Sequence, residues 1–314
     1  MRAAFFGSPA FAVPCLDALA SIADVALVVS QPDKPRGRGL KLQPPAVKAR
    51  ALELGLEVHQ PRKVRDGALA ARLAGLELDV AVVVAYGRIL PGAVLDAPRR
   101  GCVNVHGSVL PRWRGAAPIQ YALLHGDART GVTLMRMDEG MDTGPMIAVR
   151  ETDIDPDEDT PALGARLAAR GAALLTEVLP AYVAGEREPR PQPEEGVTHA
   201  ALLTKEDGRL DLRQPARRCH DRVRAMRPWP GAFVERAGQR VKVHRSALRD
   251  ASGSPGEVLA IEGDALIVAC GAGAIALPEV QEAGRRRVSG AELVRSGRIT
   301  PGERFDLPDA PAPS

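Results

Sequence analysis

The chain has 314 residues, 45% of them hydrophobic and 26% charged, with a formal net charge of +3 and four cysteines. That length accommodates one large or two ordinary domains, and that balance excludes a disordered or fibrous chain. Met1–Phe6 leads into an apolar run without a basic segment or cleavage site, and no run approaches a membrane span, so a cytoplasmic enzyme with no membrane partner is the expectation. Cys15, Cys102, Cys219 and Cys270 are far apart with no C-x-x-C pair. This argues against a zinc site or a disulfide framework, leaving buried thiols and no expected metal.

In chain order, Arg2–Phe6 reads as a first strand, and Gly7-Ser8-Pro9 turns into a helix with Phe11, Val13, Leu16 and Leu19 at helical spacing. Val25–Ser30 is a second strand, so the chain opens as a βαβ unit. G-x-G-x-x-G is absent, and Gly7 is read as a structural turn rather than a dinucleotide site. Gln31–Lys41 holds two prolines, two glycines and four basic residues, a composition that predicts neither helix nor strand. A basic loop at the carboxyl side of a sheet strand suits a phosphate backbone, although a solvated surface connection fits the same residues.

Helices are predicted near Pro45–Leu54 and Gly67–Leu76, with a short strand near Leu56–His59 between them. Val80–Val84 has the β-branched density of a strand buried on both faces. Tyr86-Gly87 ends it and Ile89-Leu90-Pro91 adds an apolar wall, as a ligand edge or as a plain turn. Gly101–Pro118 opens as another buried strand and then presents Asn104, His106 and Ser108 before turning through Pro111 and Gly115. Chemistry in an open α/β sheet sits just outside the carboxyl end of a strand. A helix over Ala116–Leu124 and a strand over Thr130–Met137 lead to a glycine-bearing loop with Asp138 and Asp142. A strand over Met146–Glu151 and a long amphipathic helix over Pro161–Ala184, capped by Asp159-Thr160, follow.

Composition then shifts. Glu186–Glu195 carries Pro189, Pro191 and Pro193 among charged residues and reads as a semi-rigid linker. The expected organisation is a catalytic domain over 1–188, a linker over 189–207 and a C-terminal domain over 208–314. A helix over Gln214–Met226 bears Arg217, Arg218, Arg222 and Arg224. Short strands at Ala232–Glu235, Arg240–His244, Gly256–Ile261, Ala265–Ala269 and Ala274–Pro278 then have the spacing of a small all-β barrel. A basic surface on such a barrel is the electrostatic footprint of nucleic-acid binding.

Asn104, His106 and Asp142 form the candidate constellation. An amide donates without titrating, an imidazole exchanges protons near neutral pH, and a carboxylate orients the ring or relays a proton. Together they suit acyl transfer through an oxyanion. No G-x-S-x-G elbow surrounds Ser108, and Cys102 lies in the buried strand, so no covalent nucleophile is assigned. From spacing alone, a satisfied strand-end histidine with two capping groups reads equally well.

Asn104-Val105-His106-Gly107-Ser108-Val109-Leu110-Pro111-Arg112-Trp113-Arg114-Gly115-Ala116-Ala117-Pro118 closely resembles the signature of the folate-dependent formyltransferases. Asp138–Met146, the Gln31-Pro32-Asp33-Lys34-Pro35 loop and Arg227-Pro228-Trp229-Pro230 resemble further motifs of that family, so the likeness covers almost the whole chain. Val109 stands where the family has leucine. The resemblance implies a Rossmann-like, doubly wound, mainly parallel sheet followed by an OB-like barrel. It further implies transfer of formyl from 10-formyltetrahydrofolate to the α-amino group of methionine on initiator Met-tRNA. Carried onto this sequence, Asn104, His106 and Asp142 are catalytic. Ser108, Val109, Leu110, Pro111, Ala85, Tyr86, Gly87, Leu90 and Asp138 line the folate. Arg36, Arg38, Lys41, Arg217, Arg218 and Arg222 meet tRNA. A formyltransferase of small amines and a non-catalytic RNA-binding protein are the rival readings. The basic loop and barrel disfavour the first, and the intact polar trio disfavours the second.

Overall fold

A computed structural model describes residues 1–36 and 41–309, with Arg36 described by its backbone. Two compact units emerge. One holds Met1–Pro118, Arg129–Asp153 and Gly164–Ala200; the other holds Ile119–Ala128, Ile154–Leu163 and the chain from Ala201 onward.

The first unit is built on β1 (Arg2–Gly7), β2 (Asp24–Val29), β3 (Val58–His59), β4 (Val80–Val84), β5 (Cys102–His106), β6 (Arg129–Arg136) and β7 (Met146–Asp153). Across the sheet they run β7-β6-β5-β4-β1-β2-β3. The five strands from β3 to β5 are parallel, and β6 and β7 are antiparallel to their neighbours. Parallel neighbours need long crossovers, here through α1 (Val13–Ile22), α2 (Ala46–Glu53) and α3 (Ala68–Ala74). Every residue of β4 and β5 is buried, which is why those strands read as unbroken apolar runs. Alternate residues Ala4, Phe6, Leu27, Val29, Ala81 and Val83 pack with Leu69 and Leu73 of α3 in one core.

Two segments differ from the sequence expectation, and one expected helix is more apolar than the absence of any span-like run implied. Within Gln31–Lys41, Lys34–Arg36 pairs antiparallel with Lys41–Gln43, placing Pro35 opposite Leu42. A two-stranded ribbon has outward edges that need no ladder donor, so the proline that spoke against a strand is tolerated. The Thr160–Ala184 helix is long and apolar enough to cross a membrane by length and composition. Its apolar stripe of Leu163, Leu167, Leu174, Leu175, Val178, Leu179 and Tyr182 is instead buried within protein. Finally, the proline-bearing chain after Gly185, read as a semi-rigid linker, is held by backbone pairing to the first unit's own strands. Arg190 exchanges two backbone hydrogen bonds with Met146, and His199–Ala200 pairs with Arg114–Gly115.

The second unit contains β8 (Ala232–Arg236), β9 (Gln239–Arg249), β10 (Val258–Glu262), β11 (Ala265–Ala269) and β12 (Ala274–Glu282). They form an antiparallel sheet in the order β8-β9-β12-β11-β10. Arg304 bridges Glu257 beside β10 and Asp306 bridges Glu235 of β8, so the chain after Glu303 covers both sheet edges and closes a small barrel. β9 runs five residues past His244 because its register shifts at Arg245 and again before Ala247. Such bulges break the period-two pattern by which sequence marks a strand.

The Ala216–Ala225 helix carries a buried ion cluster. Asp221 accepts from Arg224 at 2.8 Å and lies 3.2 Å from Arg217, and Arg224 also donates to the carbonyls of Asp155 and Glu158. Asp221→Ala leaves the Arg224 guanidinium buried without its carboxylate. It is expected to lower the stability of the second unit by about 3–5 kcal/mol, read as a lower urea midpoint with unchanged slope.

Candidate active site

Asn104 and His106 are two residues apart on β5, so both side chains leave the same sheet face, and both are buried. His106 Nε2 lies 2.9 Å from the carbonyl of Trp113. A carbonyl only accepts, so Nε2 carries a hydrogen and Nδ1 is the ring atom left to gain or lose a proton. Nδ1 faces Asp142 Oδ2 at 3.7 Å. That same Oδ2 accepts the Gly115 N–H at 2.8 Å, and Oδ1 accepts from Asn104 Nδ2 at 3.3 Å. The three side chains expected to act together therefore meet at one carboxylate.

Their setting differs from a position beyond the strand end. Val103 of β5 pairs with Arg136 of antiparallel β6, so the loop after β6 leaves the sheet beside the start of β5. Residues 137–145 then bring Asp142 back over the strand face, while 107–115 fold over it from the other end. Antiparallel pairing thus closes the site from both sides.

Three non-glycine residues here have left-handed backbone: Ala85 at φ 46, Trp113 at φ 61 and Asp142 at φ 55. Such conformations persist only where surroundings over-determine them. Gln192 supplies much of that constraint, its Nε2 donating at 2.8 Å to the carbonyls of both Asp142 and Gly144. Its Oε1 in turn accepts two bonds from Arg114. The Trp113 N–H donates to Thr198 Oγ1, and the Ala116 N–H to Ala200 O. Gly115 sits at φ 119, and a Cβ there would stand 2.5 Å from Ala200 O, so only glycine admits the strap.

Among residues read as lining folate, several act through the backbone. Ser108 is fully buried, its hydroxyl donating to Arg112 O at 2.5 Å. Thr133 Oγ1 accepts from the Leu110 N–H and donates to Ser108 O. Leu110, Tyr86 and Leu90 are buried, Val109 and Pro111 half-buried, and Ala85 and Gly87 exposed. Tyr86 stands edge-on to Phe6, and its carbonyl accepts from Gln31 Nε2 at 2.7 Å. Asp138 Oδ1 accepts from the Gly140 N–H and the Thr143 hydroxyl, shaping the loop that carries Asp142. A cavity of about 380 Å³ is lined by Gly92, Leu95, Asp96, Arg136, Met137, Asp138, Glu139 and Pro145. The large apolar side chains Ile89 and Met141 are exposed.

The basic candidates are dispersed. Arg36 is described by its backbone, Arg38 lies outside the described residues, and Lys41 is exposed. Arg217 pairs with Asp221, exposed Arg218 reaches Leu124 O at 3.5 Å, and half-buried Arg222 donates to Asp207 O at 2.7 Å. Burial pulls the Arg222 guanidinium below its ordinary pKa range. Sequence reading missed Gln192, Thr198, Thr133 and the backbone of Trp113 and Gly115. Of these, Trp113 and Gly115 lie inside the signature, and Gly115 carried the further signal of a glycine at the turn.

The parallel sheet, its antiparallel extension and this polar cluster define an α/β group-transfer scaffold: residues 1–179 match "Formyl transferase" and residues 202–298 match "Formyl transferase, C-terminal domain". The chain belongs to the formyl transferase family. It is 53% identical to the methionyl-tRNA formyltransferase of Sorangium cellulosum, over 96% of this chain and 98% of that one. It is 46% identical to that of Deinococcus radiodurans, over 99% and 97%. Among solved structures, HypX from Aquifex aeolicus in complex with tetrahydrofolic acid matches 98% of this chain and 50% of its own, with TM-score 0.64 and 20% identity. WlaRD, a sugar 3N-formyl transferase, matches 91% of this chain and 99% of its own, with TM-score 0.67 and 16% identity. These two likenesses show the fold.

Replacing Gln192 by alanine frees the Asp142 and Gly144 carbonyls without touching any of the three clustered side chains. Formyl-transfer kcat is expected to fall roughly ten- to a hundredfold while the melting midpoint stays near wild type. Unchanged kcat would show that the Asp142 turn holds itself.

Proposed function

We propose that this protein transfers a formyl group from 10-formyltetrahydrofolate to the α-amino group of methionine on initiator Met-tRNA, in the cytoplasm, where translation begins. The observation that carries the reading is the convergence of Asn104, His106 and Asp142 on one half-buried spot. The whole-length likeness to methionyl-tRNA formyltransferases supports the acceptor.

The cavity lined in part by the loop that carries Asp142 suits a reduced folate. Asp96, Asp138 and Glu139 line the cavity with acceptors for the N–H edge of a pterin, while Leu95 and Met137 supply apolar wall. Folate brings the formyl group already bonded to nitrogen. An α-amino group titrates near ~8, so a useful fraction of the acceptor is neutral and nucleophilic without a strong base. What remains for the protein is to place that amine, stabilise the formyl oxygen as it gains charge, and handle one proton.

Asn104 gives one N–H to Asp142 and has a second for the developing oxyanion. His106 has Nε2–H committed to Trp113 O, so its contribution comes from Nδ1, as donor to the same oxygen or as carrier of the proton. Asp142 sits where it can accept the proton released by the amine or pass it to Nδ1. As the new C–N bond forms and the folate C–N bond breaks, that proton is delivered to the departing nitrogen.

Incubating the protein with 10-formyltetrahydrofolate and either Met-tRNA or small amines, and weighing the products, tests the acceptor. Formyl is expected on Met-tRNA alone, and formylation of only the small amines would replace the reading. Asn104→Ala and His106→Ala are expected to lower kcat by about 10²–10³ while remaining folded. Near-normal turnover in either removes that residue from the mechanism.

A further inference from the structure

We propose that Arg62, Lys63 and Arg65, on the loop after β3, form a phosphate-binding platform for the tRNA backbone. The inference rests on the Met-tRNA reading and adds a contact surface to it. All three side chains are exposed, and among the described residues none has a carboxylate at ion-pair distance. The adjacent acid is otherwise engaged, since Asp66 Oδ1 accepts the Ala68 N–H where α3 begins. A concavity of about 370 Å³ is lined by Lys63, Val64, Arg65 and Asp66.

The loop is held in shape. Pro61 and Val64 are buried, with Val64 part of the core cluster, and the interleaved residues face outward. Arg88 clamps the turn by donating to the carbonyls of Pro61 and Arg62. Cations on an immobilised loop lose little further entropy when they meet phosphates.

Its position suits a long polyanion. β2 and β3 are parallel neighbours, so this loop and the paired Lys34–Arg36 and Lys41–Gln43 segments lie at the same end of the sheet. Gln60 ties their bases together, its Nε2 donating at 2.7 Å both to Gln31 O and to Asp33 Oδ1. Lys48 bonds Asp33 and Gln60, and the bonds from Lys48 and Gln60 hold the Asp33 carboxyl below its ordinary range. From β3 to β5 is four strand steps, about 19 Å at ~4.8 Å each. An acceptor arm whose aminoacyl end lies over β5 has duplex backbone to lay across β2 and β3, whereas a small acceptor has nothing to reach there.

The test uses the full-length protein and deacylated as well as methionyl tRNA, with binding followed from 50 to 200 mM KCl. R62Q/K63Q/R65Q is expected to flatten the log Kd against log salt slope by about 2–3, at roughly 0.7–0.9 for each phosphate no longer neutralised. KM for Met-tRNA should rise, while kcat and KM for 10-formyltetrahydrofolate stay unchanged. The charge-preserving R62K/R65K is expected to keep the wild-type slope. A wild-type slope in the triple variant overturns the platform. So does a loss confined to folate carrying a polyglutamate tail, which would make that tail the ligand. If the triple variant is misfolded, with both substrates affected, Arg65→Gln alone decides by the presence or absence of a slope change. Wild-type protein that does not formylate Met-tRNA would defeat the functional reading itself, separately from the platform.

Discussion

One carboxylate in a left-handed turn organises the site. Asp142 at φ 55 costs on the order of 1–3 kcal/mol of backbone strain. Opposing this are hydrogen bonds to its carboxylate from Gly115 and Asn104 and one to its carbonyl from Gln192. Bonds to a charged group contribute about 1.5–3 kcal/mol each, enough to hold the turn. From that anchoring follow the orientation of the Asn104 amide, the acid opposite His106 Nδ1, and the need for a pinned strap carrying Gln192. The Trp113 carbonyl completes the arrangement by selecting the imidazole tautomer from the other side.

Charge in this chain does not translate directly into charge at the surface. The arginine-rich second unit reads in sequence as a basic face, yet many of its guanidinium groups are engaged internally. Asp221 holds Arg217 and Arg224, Glu235 holds Arg209, Glu303 holds Arg236, Glu206 holds Arg240 and Glu262 holds Arg249. These pairs join residues distant in sequence as well as helical neighbours, so counting cations along the chain overstates what is offered to RNA. The Arg62–Arg65 loop presents the opposite case. In sequence it is only a short charged run, and the burial of Pro61 and Val64 around it turns its cations into a fixed outward surface.

Much of the fold was legible because its signals are local. The β-branched run Val80–Val84 and the apolar start of β5 identified central parallel strands, and the change to short alternating segments marked the barrel. Legibility failed where local pattern and tertiary pairing diverge. The bulges of β9 hid half that strand, Pro35 concealed a ribbon, and the prolines after Glu186 disguised a ladder-bonded strap as linker.

The amino-acid sequence by itself determined the chemistry available: an amide and an imidazole at period-two spacing, a carboxylate in a glycine-bearing loop, and motifs that named the family. Tertiary structure alone decided how those groups are used. It placed the Trp113 carbonyl on Nε2, the Gly115 N–H on Asp142, the Gln192 amide under the turn, and Gln60 between two basic loops. Backbone donors and acceptors are the same at every residue, and a glutamine fifty residues away carries no mark of its partner. Which of them reaches the site is settled only when pairing and register bring distant chain together.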